Sequence, residues 1–380
     1  MGTRHGFRIA TIRGIPIRIH YTFLLVLPFL AYAFGQNFVA AARLGGVPVD
    51  TLSGPPWAWG LLVALLLFAS VLVHELAHSF YALAHGGRVR SITLLMIGGV
   101  SELTEPPRRP AEEAWMALAG PATSIALGLA SLVLLRLSGG LGGFAARFTF
   151  TYFAELNLFL GVFNLLPAFP MDGGRIVRGL LERSRGPIRA TQIAATLGKL
   201  FAALFAIWGF LGGNLLLILI AFFVYVGAEG EQHAVIARAL LGDLQVRELM
   251  VRPAPAVSPA EVVFDVAERM LREKRLSFPV ADGGRVLGTV SAESIERIPL
   301  GRRRETPATD AMVPATVVAP DDRVSDALRL LSDPRTVSLV VVENDRLVGT
   351  ISQADLVRAL RLQELAASQH ARMDQPTGAV

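Results

Sequence analysis

Apolar positions in the first 230 residues come in near-continuous blocks, without the stripes of an ordinary surface helix. The blocks cover roughly 19–34, 57–84, 114–135, 148–166, 190–210 and 214–226. Most approach the ~20 residues a helix needs to cross hydrocarbon, so the pattern predicts six spanning helices. Gly212-Gly213 before the short last block predicts a tight turn between the final pair. Between the second and third blocks lies "RVRSITLLMIGGVSELTE", 88–105. It is too short to cross, is rich in Ile, Thr, Leu and Val, and carries Gly98-Gly99 as a turn. It reads as a β-hairpin, either on the surface or re-entrant into the membrane face, where irregular backbone survives only against protein or water. Beyond Leu244 charges interleave with Val, Leu and Ala, as in soluble sequence.

Composition sharpens this picture. Of 380 residues 52% are hydrophobic and 18% charged, with a mean hydropathy of +0.49, too apolar for one soluble domain. The chain has no cysteine, which excludes disulfides and thiolate metal sites; a metal would need His or carboxylate. The net charge of +5 comes from arginines beside the apolar blocks, a topology signal and not one for nucleic acid. Arg4, Arg8, Arg13 and Arg18 precede the first block; Arg88, Arg90, Arg108 and Arg109 follow the second; Arg175, Arg178, Arg183, Arg185 and Arg189 follow the fourth. The intervening loops hold only Arg43, Arg136 and Arg147. The positive-inside rule then predicts a multi-pass protein of the cell membrane with both termini cytoplasmic. No cleavable signal peptide is expected at the N-terminus.

Within the second block stands "LVHELAHSF", 72–80. Ionisable groups in hydrocarbon are costly and so are functional candidates. On a helix His74 and His78 share a face one turn apart, and both imidazoles can reach one tetrahedral zinc. Glu75 follows the first histidine, placed to take a proton from water at the metal. His74 lies about 17 residues, or ~26 Å of helix, past Trp57, toward the cytoplasmic side. His85 is further on and reads as interfacial. A third ligand is sought in "VFNLLPAFPMDGGRIVRG", where Pro167 and Pro170 end the fourth helix and Gly173-Gly174 allow a sharp turn. Asp172 is then delivered from irregular backbone at the depth of the histidines, and a His₂Asp site leaves one position open. Asn164, upstream, is placed to bond a scissile carbonyl or orient the substrate. Glu155 and Asn157 are explained equally by packing or a water path.

These motifs together resemble the site-2 proteases, the zinc intramembrane metalloproteases of peptidase family M50. "GIPIRIHYTF", the "GGV" hairpin and "GPATS" at 120–124 extend the similarity over roughly residues 7–230. The resemblance implies His74, His78 and Asp172 as ligands of one zinc ion per chain, Glu75 as general base, and Asn164 as the family's asparagine. Ser124 stands where related enzymes often have Asn and receives no role. The implied substrate is a transmembrane segment of a membrane-bound regulatory protein. The hairpin is similar to an element that clamps unwound substrate as an added strand.

Residues 244–365 contain a repeat with a period of about 61. "ELMVRPAPAVSPAEVVFDVAERM" recurs as "DAMVPATVVAPDDRVSDALRLL", and "GGRVLGTVSAESIERI" as "NDRLVGTISQADLVRAL". Units this small cannot bury their own cores, so the copies are expected to pack as one body. They resemble a tandem pair of CBS domains, which implies ATP, ADP or AMP binding and a homodimer formed through the pair; the alternative is an α/β domain used only for dimerisation. Thr350, Ser352 and Asp355 match the usual nucleotide contacts, whereas the first copy has Ser294 opposite Asp355. One competent nucleotide site is therefore expected. The expected organisation is a protease domain at 1–230, a linker at 231–244, CBS domains at 245–300 and 301–365, and a disordered tail at 366–380. The fold class is a membrane all-α domain of six helices with a re-entrant β-hairpin, plus a cytoplasmic α/β CBS pair. The alternative function is a CBS-regulated transporter or channel with histidines lining its path. It predicts polar groups spread over several spans, whereas here they concentrate on the second and fourth. A catalytically dead scaffold would have no reason to keep Glu75.

Overall fold

Alternation of apolar and polar residues at the N-terminus ("IPIRIH") builds strands before the first apolar helix begins. A computed structural model of the chain describes residues 6–373 apart from 53, 97, 106–108, 139–142, 242–243, 332 and 334–335. The chain forms two compact units, Met1–Val235 and Ile236–Val380.

In the first unit β1 (Gly6–Ile12) and β2 (Ile15–His20) lead into α1 (Tyr21–Leu44) and α2 (Pro56–Ala84). There follow β3 (Arg88–Leu95), β4 (Gly98–Glu105), α3 (Pro110–Leu137), α4 (Gly143–Asn164), α5 (Asp172–Leu211) and α6 (Leu215–Leu241). The expected hairpin is thus β3–β4, but it belongs to a four-stranded sheet of order β1-β2-β3-β4. β2 runs parallel to β3, and the other neighbours are antiparallel. Gly98 and Gly99 open β4; they do not form the turn. Ile15, Ile17 and Ile92 of the sheet pack on Leu72, Leu76 and Phe80 of α2, so the sheet lies on the half of α2 that carries the histidines.

Among the described residues the first unit has six long helices, and five of them (α1, α2, α3, α5 and α6) are long and apolar enough to cross a membrane. The exception, α4, is the expected fourth span; Arg147, Glu155 and Asn157 lower its hydropathy. α2 starts with Pro56 in its first turn and ends at His85. α5 is two helices end to end, because Gly186 adopts φ 75° before Pro187. α6 continues to Leu241, so most of the expected linker at 231–244 is helix. Its Ala-, Leu- and Glu-containing sequence favours this.

The second unit contains α7 (Val246–Leu249), α8 (Val263–Glu273), β5 (Ser277–Asp282), β6 (Arg285–Ser291), α9 (Ala292–Glu296) and α10 (Ala308–Ala311). Then come β7 (Val317–Val318), α11 (Val324–Leu331), β8 (Ser338–Glu343), β9 (Arg346–Ser352) and α12 (Gln353–Met373). α12 runs into the expected tail, and 374–380 lie outside the described residues.

The two copies exchange their leading segments. Val246 and Met250 sit in one core with Leu339, Val341 and Ile351. Ala308 and Ala311 sit in the other with Phe278, Val280 and Val290. Val251 exchanges backbone hydrogen bonds with Thr350, and Val313 with Thr289. Ser277 and Ser338, equivalent positions of the repeat, meet at 2.7 Å between their hydroxyls.

Candidate metal centre

α2 carries three ionisable side chains in its C-terminal half: two histidines that converge on Asp172 and a glutamate that bonds to β4. His74 and His78, one turn apart, are buried, with ring centroids 4.8 Å apart. Their Nε2 atoms each lie 3.2 Å from Asp172 Oδ2. The structure therefore brings together the three residues singled out in the sequence from α2 and α5, and all three candidate donor atoms lie within 4.8 Å of one another. Bonds of about 2.0–2.1 Å to a tetrahedral ion put neighbouring donors about 3.3 Å apart, so the two His–Asp distances fit such an ion.

The space beside the donors is kept by α3. A Cβ built on Gly120 would clash with Nε2 of both histidines, so only glycine leaves this volume free. One turn to either side along α3, Met116 and Ser124 orient the rings. His78 Nδ1 donates to Met116 O at 2.7 Å. A carbonyl can only accept, so Nδ1 carries the proton and the Nε2 lone pair is free for a cation. His74 Nδ1 pairs with Ser124 Oγ at 2.9 Å. Such partners fix the tautomer and plane of metal-binding imidazoles.

Asp172 is held by an anchored turn. Phe169 is fully buried among Ala194, Ala195 and Ala228, and its N–H donates to Ala194 O at 3.2 Å. Asp172 is the first residue of α5 with Met171 as N-cap, so it comes from a helix start and not, as expected, from irregular backbone. Gly173 and Gly174 are helical as well. Their value is close approach: a Cβ on Gly174 would lie 2.5 Å from Phe169 N. One turn along α5, Arg175 pairs with Glu231 of α6 at 3.0 Å, and Arg178 pairs with Glu113 of α3. These ion pairs fix the start of α5 against its neighbours.

Glu75 is not one of the three donors. It faces β4, where Ser101 Oγ donates to its Oε2 at 2.6 Å. Asn164 ends α4 and donates Nδ2 to Leu160 O at 2.9 Å; among the described residues it makes no bond to His74, Glu75, His78 or Asp172. His85 caps α2, donating Nδ1 to Tyr81 O at 2.9 Å, apart from the other two histidines. Glu155 is exposed on α4, whereas Asn157 is buried and its Nδ2 is donated to Phe153 O. Met116, Gly120, Ser124, Gly99 and Ser101 were missed by sequence reasoning as parts of the site. The i, i+4, i+8 spacing of Met116, Gly120 and Ser124 puts them on one face of α3, but their residue types do not single that face out.

In the second unit Ser352 and Asp355 come together as a helix cap. Asp355 Oδ2 accepts from Ser352 N at 3.0 Å and Ser352 Oγ at 2.6 Å. Ser294 and Ser291 form the same cap in the first copy. Thr350 is buried beside Val251, and among the described residues its Oγ1 has no hydrogen-bond partner; nor has Oγ1 of the equivalent Thr289.

The description of peptidase family M50 matches residues 62–148 and 143–207, and that of the CBS domain matches 246–301 and 308–362. A zinc metalloprotease of Methanocaldococcus jannaschii is 33% identical over 362 residues, covering 95% of this chain and 98% of the relative. The solved site-2 protease from Methanocaldococcus jannaschii is 36% identical over 60% of this chain and 95% of its own, with a TM-score of 0.42. The solved CBSX2 in complex with AMP is 25% identical over 32% of this chain and 98% of its own, with a TM-score of 0.29.

Proposed function

Because the chain belongs to peptidase family M50, as a zinc metalloprotease of the site-2 type with a pair of CBS domains, we propose that it cuts transmembrane segments of membrane-bound regulatory proteins. The observation that carries this reading is the meeting of His74 Nε2, His78 Nε2 and Asp172 Oδ2 between helices apolar enough to cross a membrane. In this reading those three atoms hold one zinc ion. Zinc, when bound, supplies Lewis-acid polarisation of a water and of the scissile carbonyl. Glu75, adjacent but not among the donors, takes the proton of the attacking water and returns it to the leaving amine. Asn164 releases Leu160 O to orient the substrate backbone. The outer edge of β4 receives the unwound substrate as an added strand, with backbone hydrogen bonds supplying the affinity.

The arginine distribution supports a cytoplasmic placement of both termini and of the site. The CBS pair is the proposed control element: adenine nucleotide binds around Thr350, Ser352 and Asp355, with ribose hydroxyls on the carboxylate, and the pair mediates a homodimer. Thr350 Oγ1, without a partner among the described residues, fits a polar ligand, as does Thr289 Oγ1; the carboxylate of Asp355 in place of Ser294 favours the second copy. Nucleotide alters cleavage only by binding two arrangements of the protein with different affinity.

The test is metal analysis of the full-length protein in detergent together with cleavage of a model transmembrane substrate. Glu75→Gln is expected to keep one zinc per chain and to lose about 10²–10⁴-fold in cleavage rate, the usual share of a general base. Near-normal proteolysis by that variant would remove the mechanism.

A further inference from the structure

The partner of Glu75 comes from neither α3 nor α5, the helices that serve the histidines, but from the hairpin. Ser101 Oγ donates to Glu75 Oε2 at 2.6 Å, within the short range of a bond from hydroxyl to carboxylate. Ser101 is itself steadied by Ser79 of α2, whose fully buried hydroxyl lies 3.3 Å from it. Two residues earlier on the same face of β4, Gly99 lies against the stem of the same side chain. A Cβ there would be 2.5 Å from Glu75 Cγ and 3.3 Å from its Oε1.

Strand geometry makes this arrangement specific. Residues two apart on a strand share a face, and pairing with β3 sets Ser101 opposite Ile92 and Gly99 opposite Leu94. A slip of one residue would turn Val100 and Glu102 toward Glu75, replacing a donor with bulk and a like charge. β4 is the last strand of its sheet among the described residues, so one strand carries both a free edge and the donor to Glu75.

We propose that Ser101 is a positioning residue for the reaction: it fixes Oε2 of Glu75, and Gly99 leaves room for the stem, so that Oε1 is presented to the attacking water. This rests on the reading of Glu75 as general base. The hairpin then has two duties, and a substrate strand seated on β4 lies beside the residue that aims the base. A glutamate on a helix surface has three rotatable bonds; without Ser101 its carboxylate spends most of its time out of line.

The test compares wild type, Ser101→Ala and Ser101→Thr, all as full-length protein in detergent, for zinc content and for kcat and KM on the model transmembrane substrate. Ser101→Ala is expected to lower kcat about 10–100-fold, in the range of lost outer partners, with KM and zinc content unchanged. Ser101→Thr, which keeps the hydroxyl and suits a strand, restores most of the rate. In a Glu75→Gln background Ser101→Ala causes no further loss. Wild-type kcat in Ser101→Ala overturns the proposal. A loss expressed in KM or zinc content, or one that threonine does not restore, assigns Ser101 to folding or substrate binding and also overturns it. Activity in Glu75→Gln alone would instead overturn the assignment of the base.

Discussion

Met116 O, Gly120 Cα and Ser124 Oγ stand at successive turns of α3 against His78, both rings, and His74. Each does something different: one accepts a hydrogen bond, one is kept small, and one fixes a ring plane. Ser124→Ala is expected to weaken zinc affinity about 10–100-fold, read by titration against a competing chelator, while the fold is kept. Asp172→Ala removes a donor and should lower zinc content itself, in contrast to Glu75→Gln. The candidate donors were legible because two histidines and a glutamate in an apolar block have few bland explanations, and Asp172 gained meaning only beside them. Ser124, Gly120 and Ser101 were not legible. A serine or glycine signals nothing by itself; its role is set by what stands opposite, and that depends on how helices cross and strands register.

At the level of elements, α1 and α2 cross where glycine meets backbone. A Cβ on Gly35 would lie 2.9 Å from Pro56 O, and one on Gly60 would overlap Ala31 O. Such close crossings are how apolar helices gain dispersion and backbone contacts in a membrane. Gly60→Val is therefore expected to force the pair apart and cost about 1–3 kcal/mol, seen as a lower thermal transition in detergent. The helices themselves were largely readable, because block length and flanking proline set α2 within a residue of its expected bounds. The β1–β2 pair was not read. Ile15, Ile17 and Ile19 alternate with Pro16 and Arg18, but the run is short and abuts the apolar block expected from 19. The hairpin was found, yet its membership of a parallel pairing with β2 is a long-range choice that no local pattern specifies.

At the scale of the molecule, the repeat made the CBS pair visible, since equivalent residues recur 61 positions apart. It did not reveal that the copies trade their leading segments. In the full-length protein AMP, ADP or ATP is expected to bind at one site per pair, and Asp355→Ala to weaken that binding at least tenfold by calorimetric titration. No binding of any of the three would leave the pair as a dimerisation module. The exchange of segments also predicts how the unit comes apart. A fragment of residues 244–300 lacks Ala308 and Ala311 for its own core, and it carries Val246 and Met250 with nothing to cover them. It should show no cooperative thermal transition, whereas 236–373 should. During synthesis the same geometry imposes a wait. Val251 pairs with Thr350, about 100 residues later, and at roughly 5–20 residues per second the ribosome needs about 5–20 s to make them. For that interval Val246 and Met250 are exposed apolar surface on a nascent chain, the period in which chaperones, or a neighbouring copy on the same message, have access to this protein.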